Sequence, residues 1–410
     1  MARIFPDFFT AYCEYFNDSF VPPQFQQWGC IAAVGAALER KVWLPWSDSW
    51  SCYPNVYVLF VSGPGEGKTQ ALNNAVDLLE EANKKLGGTI NVLPNQATEA
   101  AFIKLLGHGR SFTMGTQVVF QNAAFYRAAE ASASLRNVYG EFLACLTDLY
   151  DCPNRWERAT VKDGVTPIAL KNVCINLLAA STFDYLGELV NDKNIQGGFA
   201  SRLIYVLSQK REVVAQRFQN GGQTDAVRAE RAEYRRALVE DFIQIHKLMG
   251  KMRASPEFAG AWEQWWVDSE KQRRAYGSEK LQSLLVRQNL HMLKTSMILS
   301  ACESDAMVLE QRHWEKALSL VEPAMRNIPT IFRESRAGAL DRGIKNLPHA
   351  IIVAIQKNAN HTLDSIKAFL HTRGAAMRDI DSMLHQMLKS GKLGIEGSKL
   401  KVLCDPDHDL

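Results

Sequence analysis

Residues 54–76 carry the sequence Pro-Asn-Val-Tyr-Val-Leu-Phe-Val-Ser-Gly-Pro-Gly-Glu-Gly-Lys-Thr-Gln-Ala-Leu-Asn-Asn-Ala-Val, and this stretch decides the fold. Its first part, Val56 to Val61, is a run of β-branched, aromatic and other apolar residues, which predicts a strand buried on both faces. A glycine-rich loop follows, and a helical stretch begins at Gln70. A buried strand that leads through such a loop into a helix is typical of a parallel sheet, so the sequence predicts an α/β fold.

The loop between the predicted strand and helix has the composition of a phosphate cradle. It consists of Ser62, Gly63, Pro64, Gly65, Glu66 and Gly67, and Lys68, Thr69 and Gln70 follow it. In such a loop, backbone N–H groups and a helix N-terminus face the anion, the lysine neutralises it and the Thr69 hydroxyl can ligate Mg²⁺. The usual pattern is G-x-x-x-x-G-K-[ST]; Ser62 occupies its first position, and Gly63 is expected to make the tight turn instead. The motif predicts a nucleotide-binding loop for ATP and Mg²⁺, and the alternative is a glycine-rich turn with an exposed lysine.

Bulk composition bounds the class of protein. The 410 residues suffice for two or three domains with a sizeable core. Lys and Arg total 47 against 44 Asp and Glu, and the resulting net charge of +3 alone indicates no nucleic acid. No apolar run predicts a membrane span, and residues 1–20 lack the order of a signal peptide. The eight cysteines form no CxxC pairs, so neither a zinc site nor a disulfide framework is indicated, and we expect buried thiols in a reducing cytoplasm.

Hydrolysis of a nucleoside triphosphate needs a carboxylate at the tip of a central strand, where it orients the attacking water and supports Mg²⁺. Residues 117–130 hold two apolar bursts, and the second ends in Glu130, which is the candidate for this role. Ala129 stands where an aspartate commonly precedes the glutamate. The alternative for Glu130 is a surface residue that opens a helix.

Two further elements suggest contacts with the γ-phosphate. The apolar strand Val173 to Ala180 ends in Ser181 and Thr182, which would sense the phosphate or, alternatively, cap the next helix. Residues 197–202 form a Gly-Gly-Phe-Ala-Ser-Arg turn before another apolar strand. Arg202 directly precedes this strand and is a candidate to stabilise a phosphoryl transition state in a neighbouring subunit, because arginine supplies fixed bidentate positive charge. A structural salt bridge is the alternative.

The residues after the glycine turn are predominantly helical, with amphipathic stretches between Thr224 and Phe332. Arg287, His291 and Lys294 share roughly one helical face. One of them could touch phosphate, and we expect at least two of the three to form a solvated basic face.

The tail predicts three helices followed by a small hairpin, the arrangement of a winged helix. From residue 341 to 403 it holds ten Lys and Arg (342, 345, 357, 367, 373, 378, 389, 392, 399 and 401) against five Asp and Glu (341, 364, 379, 381 and 396). This local excess favours duplex DNA, with the third helix in the major groove. Winged helices also dock proteins, so a protein partner is the alternative.

These stretches together resemble a known family. They are Pro22 to Leu44, the entry Pro54 to Leu59 to the loop, Leu-Thr-Asp-Leu-Tyr-Asp at 146–151, Leu-Ala-Ala-Ser-Thr at 178–182 and the Gly-Gly-Phe-Ala-Ser-Arg turn. In order and spacing, over most of residues 20–330, they are similar to phage and prophage AAA+ ATPases of the replication-helicase type. The cores of those ATPases are related to viral hexameric helicases of superfamily three and to minichromosome-maintenance proteins. Ser62 and Ala129 depart from the family consensus.

The resemblance implies an N-terminal helical brace at 1–48, an AAA+ P-loop ATPase core at 49–212, a helical lid at 213–334 and a C-terminal winged helix at 343–405. It implies an ATP-dependent hexameric DNA helicase or translocase of phage or mobile-element replication, acting in the bacterial cytoplasm. A helicase loader or DNA-remodelling ATPase without unwinding, and a nucleotide-dependent DNA-binding assembly factor, are the alternatives.

A β-hairpin is predicted between the Glu130 and Ser181 strands. In residues 156–170 the pair Asp163-Gly164 is a tight-turn signal flanked by β-formers. The position resembles that of the pore hairpin of superfamily-three helicases, which grips the DNA backbone. Lys162 lies at the tip, and Arg155 and Arg158 lie near the base, so these three are the candidate contacts to a single strand in a ring channel. The alternative is an exposed hairpin with a solvated lysine.

Overall fold

The computed structural model of the chain describes residues 3–17, 20–48, 50–129, 131, 141–158, 168–183, 186, 198–208, 225–275, 279–330, 347–357, 362–371 and 377–403. The helices are α1 (Phe8–Tyr15), α2 (Pro23–Leu38), α3 (Lys68–Lys85), α4 (Glu99–Leu106), α5 (Glu141–Tyr150), α6 (Asp225–Lys247), α7 (Pro256–Ala275), α8 (Glu279–Leu285), α9 (Gln288–Glu303), α10 (Gln311–Arg326), α11 (Leu347–Lys357), α12 (Leu363–His371) and α13 (Met377–Lys389). The strands are β1 (Val42–Pro45), β2 (Ser51–Cys52), β3 (Tyr57–Val61), β4 (Val92–Leu93), β5 (Arg110–Met114), β6 (Gln117–Ala128), β7 (Arg155–Arg158), β8 (Ile168–Lys171), β9 (Val173–Ser181), β10 (Leu203–Leu207), β11 (Gly250–Lys251), β12 (Arg253–Ala254), β13 (Val308–Leu309), β14 (Leu393–Glu396) and β15 (Lys399–Val402).

The predicted apolar strand β3 lies inside a parallel sheet. The strand order is β10-β3-β9-β6-β4, every neighbouring pair is parallel, and β5 pairs antiparallel with the first part of β6. All five residues of β3 are buried, as expected for a strand covered on both faces. The structure therefore confirms the predicted α/β fold with a parallel central sheet.

Helices cover both faces of this sheet. On β3, the ring of Phe60 stacks on Phe25 of α2 at 4.7 Å between centroids. The Tyr57 hydroxyl donates a hydrogen bond to the Leu146 carbonyl of α5 at 2.9 Å. Residues 57 and 60 differ by an odd number, so their side chains point to opposite faces of the strand. Helices α2 and α5 are consequently on opposite sides of the sheet.

A single hydrophobic core joins α1, α2, the sheet and the helices α6 to α10. Gly35 permits a close approach within it, since a Cβ at this position would lie 2.7 Å from the Pro54 carbonyl oxygen and 3.2 Å from Ile298 of α9. Beside the main sheet, β1 pairs antiparallel with β2 and parallel with β11. The domain boundaries predicted at 48 and 212 thus fall between segments that share one core, and they stay predictions.

The C-terminal residues form a unit with its own core. Helices α11, α12 and α13 pack around Ile351, Ile366 and Leu384, with Leu393 and Leu400 from the hairpin. In this hairpin, β14 and β15 pair antiparallel from Leu393↔Val402 to Glu396↔Lys399. The order of three helices followed by a two-stranded hairpin is the order predicted from the sequence.

The described residues also bear on the predictions about cysteines and about membrane spans. Six of the described cysteines are buried and Cys13 is partly buried, which agrees with thiols that act as small apolar core residues. Among the described residues, no helix is both long enough and apolar enough to span a membrane.

Candidate nucleotide-binding site

The loop between β3 and α3 turns through two glycines. Gly65 has φ +78° and Gly67 has φ +79°, a left-handed conformation that favours glycine, and Gly67 is the N-cap of α3. Gly63, which the sequence indicated as the turn residue, does not have a positive φ. That expectation was wrong, because the reversal occurs later in the loop, where the chain enters the helix.

Lys68 folds its ammonium group back over this loop. Its Nζ donates hydrogen bonds to the Ser62 carbonyl oxygen at 2.9 Å, to Ser62 Oγ at 3.0 Å and to the Gly63 carbonyl oxygen at 2.6 Å. These oxygens hold a partly buried cation at the mouth of the loop. The Ser62 hydroxyl thus contributes to the lysine's position, although serine departs from the usual glycine.

The first turn of α3 is open to solvent. Thr69 and Gln70 are exposed, and Gln70 Nε2 donates to Asn74 Oδ1 at 2.9 Å within the helix. In the loop, Pro64 and Gly65 are exposed and Glu66 is partly buried. The first N–H groups of a helix have no partner within it, so a helix start beside a lysine suits a phosphate group.

The topology of the sheet puts this loop beside Ser181. The connection after β3 crosses to β4 at one edge, whereas the connection after β9 crosses to β10 at the other edge. Adjacent strands whose connections leave in opposite directions form a switch point, and ligands of open α/β sheets bind beyond the carboxyl ends of such strands. In register, Ser181 of β9 lies opposite Val61 of β3. The two strands therefore open a crevice at the glycine loop.

The two candidate sensing residues lie at this crevice. The Ser62 N–H donates to the Ser181 carbonyl oxygen at 3.4 Å, and Ser181 Oγ donates to the Thr182 carbonyl oxygen at 3.2 Å. The Thr182 carbonyl also accepts from the Leu186 N–H at 3.1 Å. Both the sensing role and the alternative of a helix cap stay predictions.

The candidate catalytic carboxylate lies outside the described residues. Strand β6 ends at Ala128, and Ala129 is the last described residue before Glu130. Because β6 is parallel to β9 and adjacent to it, its carboxyl end faces the same edge of the sheet as Ser181.

Arg202 lies at the opposite, amino edge of the sheet. It precedes β10, whose first residue, Leu203, is opposite Tyr57, the first residue of β3. The five residues of β3 therefore separate Arg202 from the glycine loop by roughly 16 Å along the strand. Arg202 cannot reach a phosphate held by the loop of its own chain.

At this edge Arg202 joins a cluster that includes one carboxylate. Its Nη2 donates to Asp151 Oδ2 at 2.7 Å, its Nη1 donates to the Gly198 carbonyl oxygen at 2.8 Å, and its side chain is only 9% exposed. Arg287 donates from Nη1 to Asp151 Oδ1 at 2.9 Å. Both guanidinium groups also lie near the ring of Tyr150, at 5.7 and 5.6 Å from its centroid. The structural salt bridge is thus present, and no local sequence pattern indicated Asp151 as the partner.

The expectation of a solvated basic face at 287–294 was wrong. His291 is 1% exposed and Lys294 is 3% exposed. Lys294 Nζ donates to Asn55 Oδ1 at 2.7 Å and lies 3.9 Å from the Tyr150 ring centroid. His291 Nε2 donates to the Ser201 carbonyl at 3.1 Å, and burial lowers the pKa of His291 to about 3. These side chains brace the arginine turn from the inside.

The predicted hairpin is present at its base. Strands β7 and β8 pair antiparallel from Arg155↔Lys171 to Arg158↔Ile168. Arg158 forms an ion pair with Glu99 of α4, and Arg155 forms one with Glu157. Lys162 at the predicted tip lies outside the described residues. Both described arginines are therefore partly neutralised by neighbouring carboxylates.

A surface groove lies elsewhere on the described part of the chain. It has a volume of about 990 Å³ and runs along the end of α3 and the chain before β4, where Asn83, Lys84 and Arg110 line it. It is wide, and its described lining includes His108 but no Phe, Tyr or Trp. The loop at the switch point is the better nucleotide site, because a lysine, a helix start and two strand ends converge there.

The donor set at the loop fits a triphosphate that arrives with its Mg²⁺. Among the described residues, no three His, Cys, Asp or Glu side chains converge on a position for a metal ion. Mg²⁺ is commonly held by few protein oxygens together with phosphate and water, and Thr69 Oγ is an exposed oxygen of this kind. Comparison with known proteins gives no further guide, because neither a protein family nor a curated protein matches the chain.

Proposed function

We propose that the chain is an ATP-dependent DNA helicase or translocase that works as a homo-oligomeric ring, with six subunits, in phage or mobile-element replication. The observation that carries this proposal is the Lys68 ammonium group, held over a glycine loop at the switch point of a parallel sheet. This arrangement suits the β- and γ-phosphates of ATP. The AAA+ assignment and the cytoplasm of a bacterial host belong to the same proposal.

In this proposal the loop N–H groups and Lys68 bind the phosphates, and Thr69 supplies one oxygen to Mg²⁺. The metal would neutralise charge that develops on the phosphates during transfer. Glu130 would orient the attacking water, and Ser181 and Thr182 would contact the γ-phosphate from the neighbouring strand.

Arg202 supports an oligomer in particular. An arginine about 16 Å from its own loop can stabilise phosphoryl transfer only at a loop supplied by another subunit. Its backbone lies on a short 3₁₀ turn, and the His291 ring braces this turn by donating to the Ser201 carbonyl. A subunit interface that joins Lys68 of one chain to Arg202 of the next would complete each site.

The C-terminal unit supports DNA as the partner. On α13, Ile380, Leu384 and Met387 face the core, while His385, Gln386 and Lys389 are exposed. His385, Gln386 and Lys389 are polar or cationic and share one face of the third helix with the exposed Asp381. The third helix is the element that a winged helix inserts into the major groove. Lys162 and the hairpin would contact a single strand in the ring channel.

Strand displacement tests this function. The full chain with ATP and Mg²⁺ should separate a forked DNA duplex, and Lys68→Ala should not. ATP turnover without displacement would favour a loader or DNA-remodelling ATPase, and DNA binding without turnover would favour an assembly factor. Imaging of particles with DNA and a non-hydrolysable ATP analogue would count the subunits in the ring.

A further inference from the structure

A small aromatic pocket lies at the foot of the β7–β8 hairpin. Its volume is about 230 Å³, and its walls include Trp43, Tyr53, Phe112, Gln121, Asn154 and Asn172. Asn154 and Asn172 immediately flank the hairpin strands, and the Asn172 N–H donates to the Asn154 carbonyl at 2.9 Å. Pockets for drug-sized ligands span roughly 300–1,000 Å³, so this one has room for a single planar ring system.

One wall of the pocket is a face of the β5–β6 arm. Phe112 lies opposite Val119, and Arg110 lies opposite Gln121. Side chains alternate along a strand, so Phe112, Val119 and Gln121 share a face, whereas Phe120 points to the other face. The arm thereby contributes one aromatic ring and one amide to the pocket.

Gln121 has an unused acceptor at this wall. The residue is 1% exposed, and its Nε2 donates to Glu39 Oε2 at 2.6 Å. Its Oε1 is buried and has no hydrogen-bond partner among the residues that the structure describes. Buried polar atoms nearly always have a partner, so an acceptor left unpaired beside a cavity is available to a water molecule or to a ligand that carries a donor. Aromatic rings on the other walls indicate that this ligand is planar.

The charges around the pocket suit an anionic chain. Arg40 lies 4.2 Å above the Tyr53 ring and donates to the Val173 carbonyl oxygen at 3.1 Å. Arg40 is a cation in the wall, and no carboxylate belongs to the described lining. Lys171 is exposed at the hairpin foot. Phosphates attached to a planar group in the pocket would meet positive charge.

We infer that this pocket takes an unpaired nucleobase of a single-stranded nucleic acid. Bases stack on aromatic side chains, and amino or imino N–H groups on their edges could donate to Gln121 Oε1. The inference rests on the proposed function for nucleic acid as the partner, and it does not depend on ATP hydrolysis. The pocket is at the amino end of β9, about 26 Å along the strand from Ser181, so it cannot hold the base of the chain's own ATP.

The test compares two labelled strands of equal length, an oligothymidylate and an abasic strand that keeps the phosphates, by fluorescence anisotropy with the full chain. The wild-type protein should bind the base-bearing strand more tightly. Phe112→Ala should reduce this preference by roughly 5- to 150-fold, the range for loss of one stacking ring. Phe112→Leu, which keeps the bulk of the side chain and guards against misfolding, should also reduce it. Phe120→Ala is the matched control on the other face and should keep the full preference.

Three results would overturn the inference. The pocket does not bind a base if the wild-type protein has equal affinity for both strands. The same conclusion follows if Phe112→Ala and Phe112→Leu keep the full preference. If thymidine monophosphate binds as tightly as the strand, the ligand of the pocket is a free nucleotide and not a nucleic acid strand. If ATP-dependent strand displacement persists in any of these cases, the proposed function stands and only the pocket assignment fails.

Discussion

Arg202 donates from Nη2 to Asp151 Oδ2 over 2.7 Å, and the same carboxylate accepts from Arg287 over 2.9 Å. Two guanidinium groups therefore share one counter-ion at the amino edge of the sheet. Asp151 is 43% exposed, which leaves this cluster open to a partner surface. A phosphate of a neighbouring subunit would present the same kind of oxygen acceptors as the carboxylate, with more negative charge.

Arg202→Ala should leave nucleotide binding largely intact and slow ATP hydrolysis, by up to roughly 10³-fold or more, because a charge on the transition state is lost. Steady-state turnover and binding of a fluorescent ATP analogue measure the two effects. Mixing this variant with Lys68→Ala should restore some turnover through mixed interfaces.

A second variant, Asp151→Asn, distinguishes a catalytic role of Arg202 from a purely structural one. If Arg202 acts on a neighbour's phosphate, Asp151→Asn keeps most of the turnover, since the arginine remains. Equal loss of turnover and of thermal stability in both variants would instead make the ion pair purely structural. An inert mixture, with ATP binding lost in Arg202→Ala alone, would contradict the in-trans role.

Lys68→Ala should abolish ATP turnover, because the charge on the β- and γ-phosphates is removed. Lys85→Ala at the other end of α3 is the matched control: its ammonium group pairs with Glu240 in an exposed position. That variant should keep turnover near the wild-type rate, since an exposed pair contributes little to stability. Turnover that survives in Lys68→Ala would remove the nucleotide assignment of the loop.

Local sequence patterns were sufficient for the elements that define the sheet and its loop. The apolar run at 56–61 indicated β3, and the helix predicted from Gln70 begins two residues earlier. Threonine is a favoured residue at a helix start, and the Thr98 hydroxyl caps α4 by accepting from the Ala101 N–H at 3.3 Å. These features depend on residues that are close in the sequence, and hydrophobic periodicity and helix capping both arise from such local interactions.

Contacts between distant residues could not be predicted from such patterns. Lys294 is buried because Asn55, 239 positions earlier, accepts its hydrogen bond, and Tyr150 supplies an aromatic face. The two apolar bursts noted in residues 117–130 belong to one strand, β6, whose first part pairs with β5 and whose second part pairs with β9. Only the tertiary fold decides which part of a long strand is covered.

Two buried histidines should make the protein less stable in acid. Burial lowers the pKa of His246 to about 3 and that of His291 to about 3, whereas an unfolded histidine titrates near about 6.5. Between these values the unfolded chain binds protons that the folded chain excludes, so the free energy of unfolding falls as pH decreases. The thermal midpoint should fall between about pH 6.5 and acid denaturation.

His291→Gln should weaken this pH dependence, because glutamine cannot gain the proton but can still donate to the Ser201 carbonyl. His385→Gln is the control at an exposed position of α13 and should leave the slope unchanged. Differential scanning calorimetry at several pH values measures both slopes. Identical slopes for wild type and His291→Gln would show that this histidine does not cause the acid sensitivity.

Gly35→Ala should destabilise the shared core, whereas Gly29→Ala on the same helix should not. A Cβ at position 35 would lie 2.7 Å from the Pro54 carbonyl oxygen and 2.8 Å from Asn176 Oδ1, which accepts the Val56 N–H at 2.9 Å. Helix α2 would have to move away from β9, at a cost of roughly 1–3 kcal/mol. At position 29 the nearest atom, Ala75 Cβ, lies 3.4 Å away, so alanine fits and its helix propensity adds up to about 1 kcal/mol of stability. Urea unfolding of the two variants measures the difference in stability. Equal midpoints would contradict the close packing of α2 against Pro54 and Asn176.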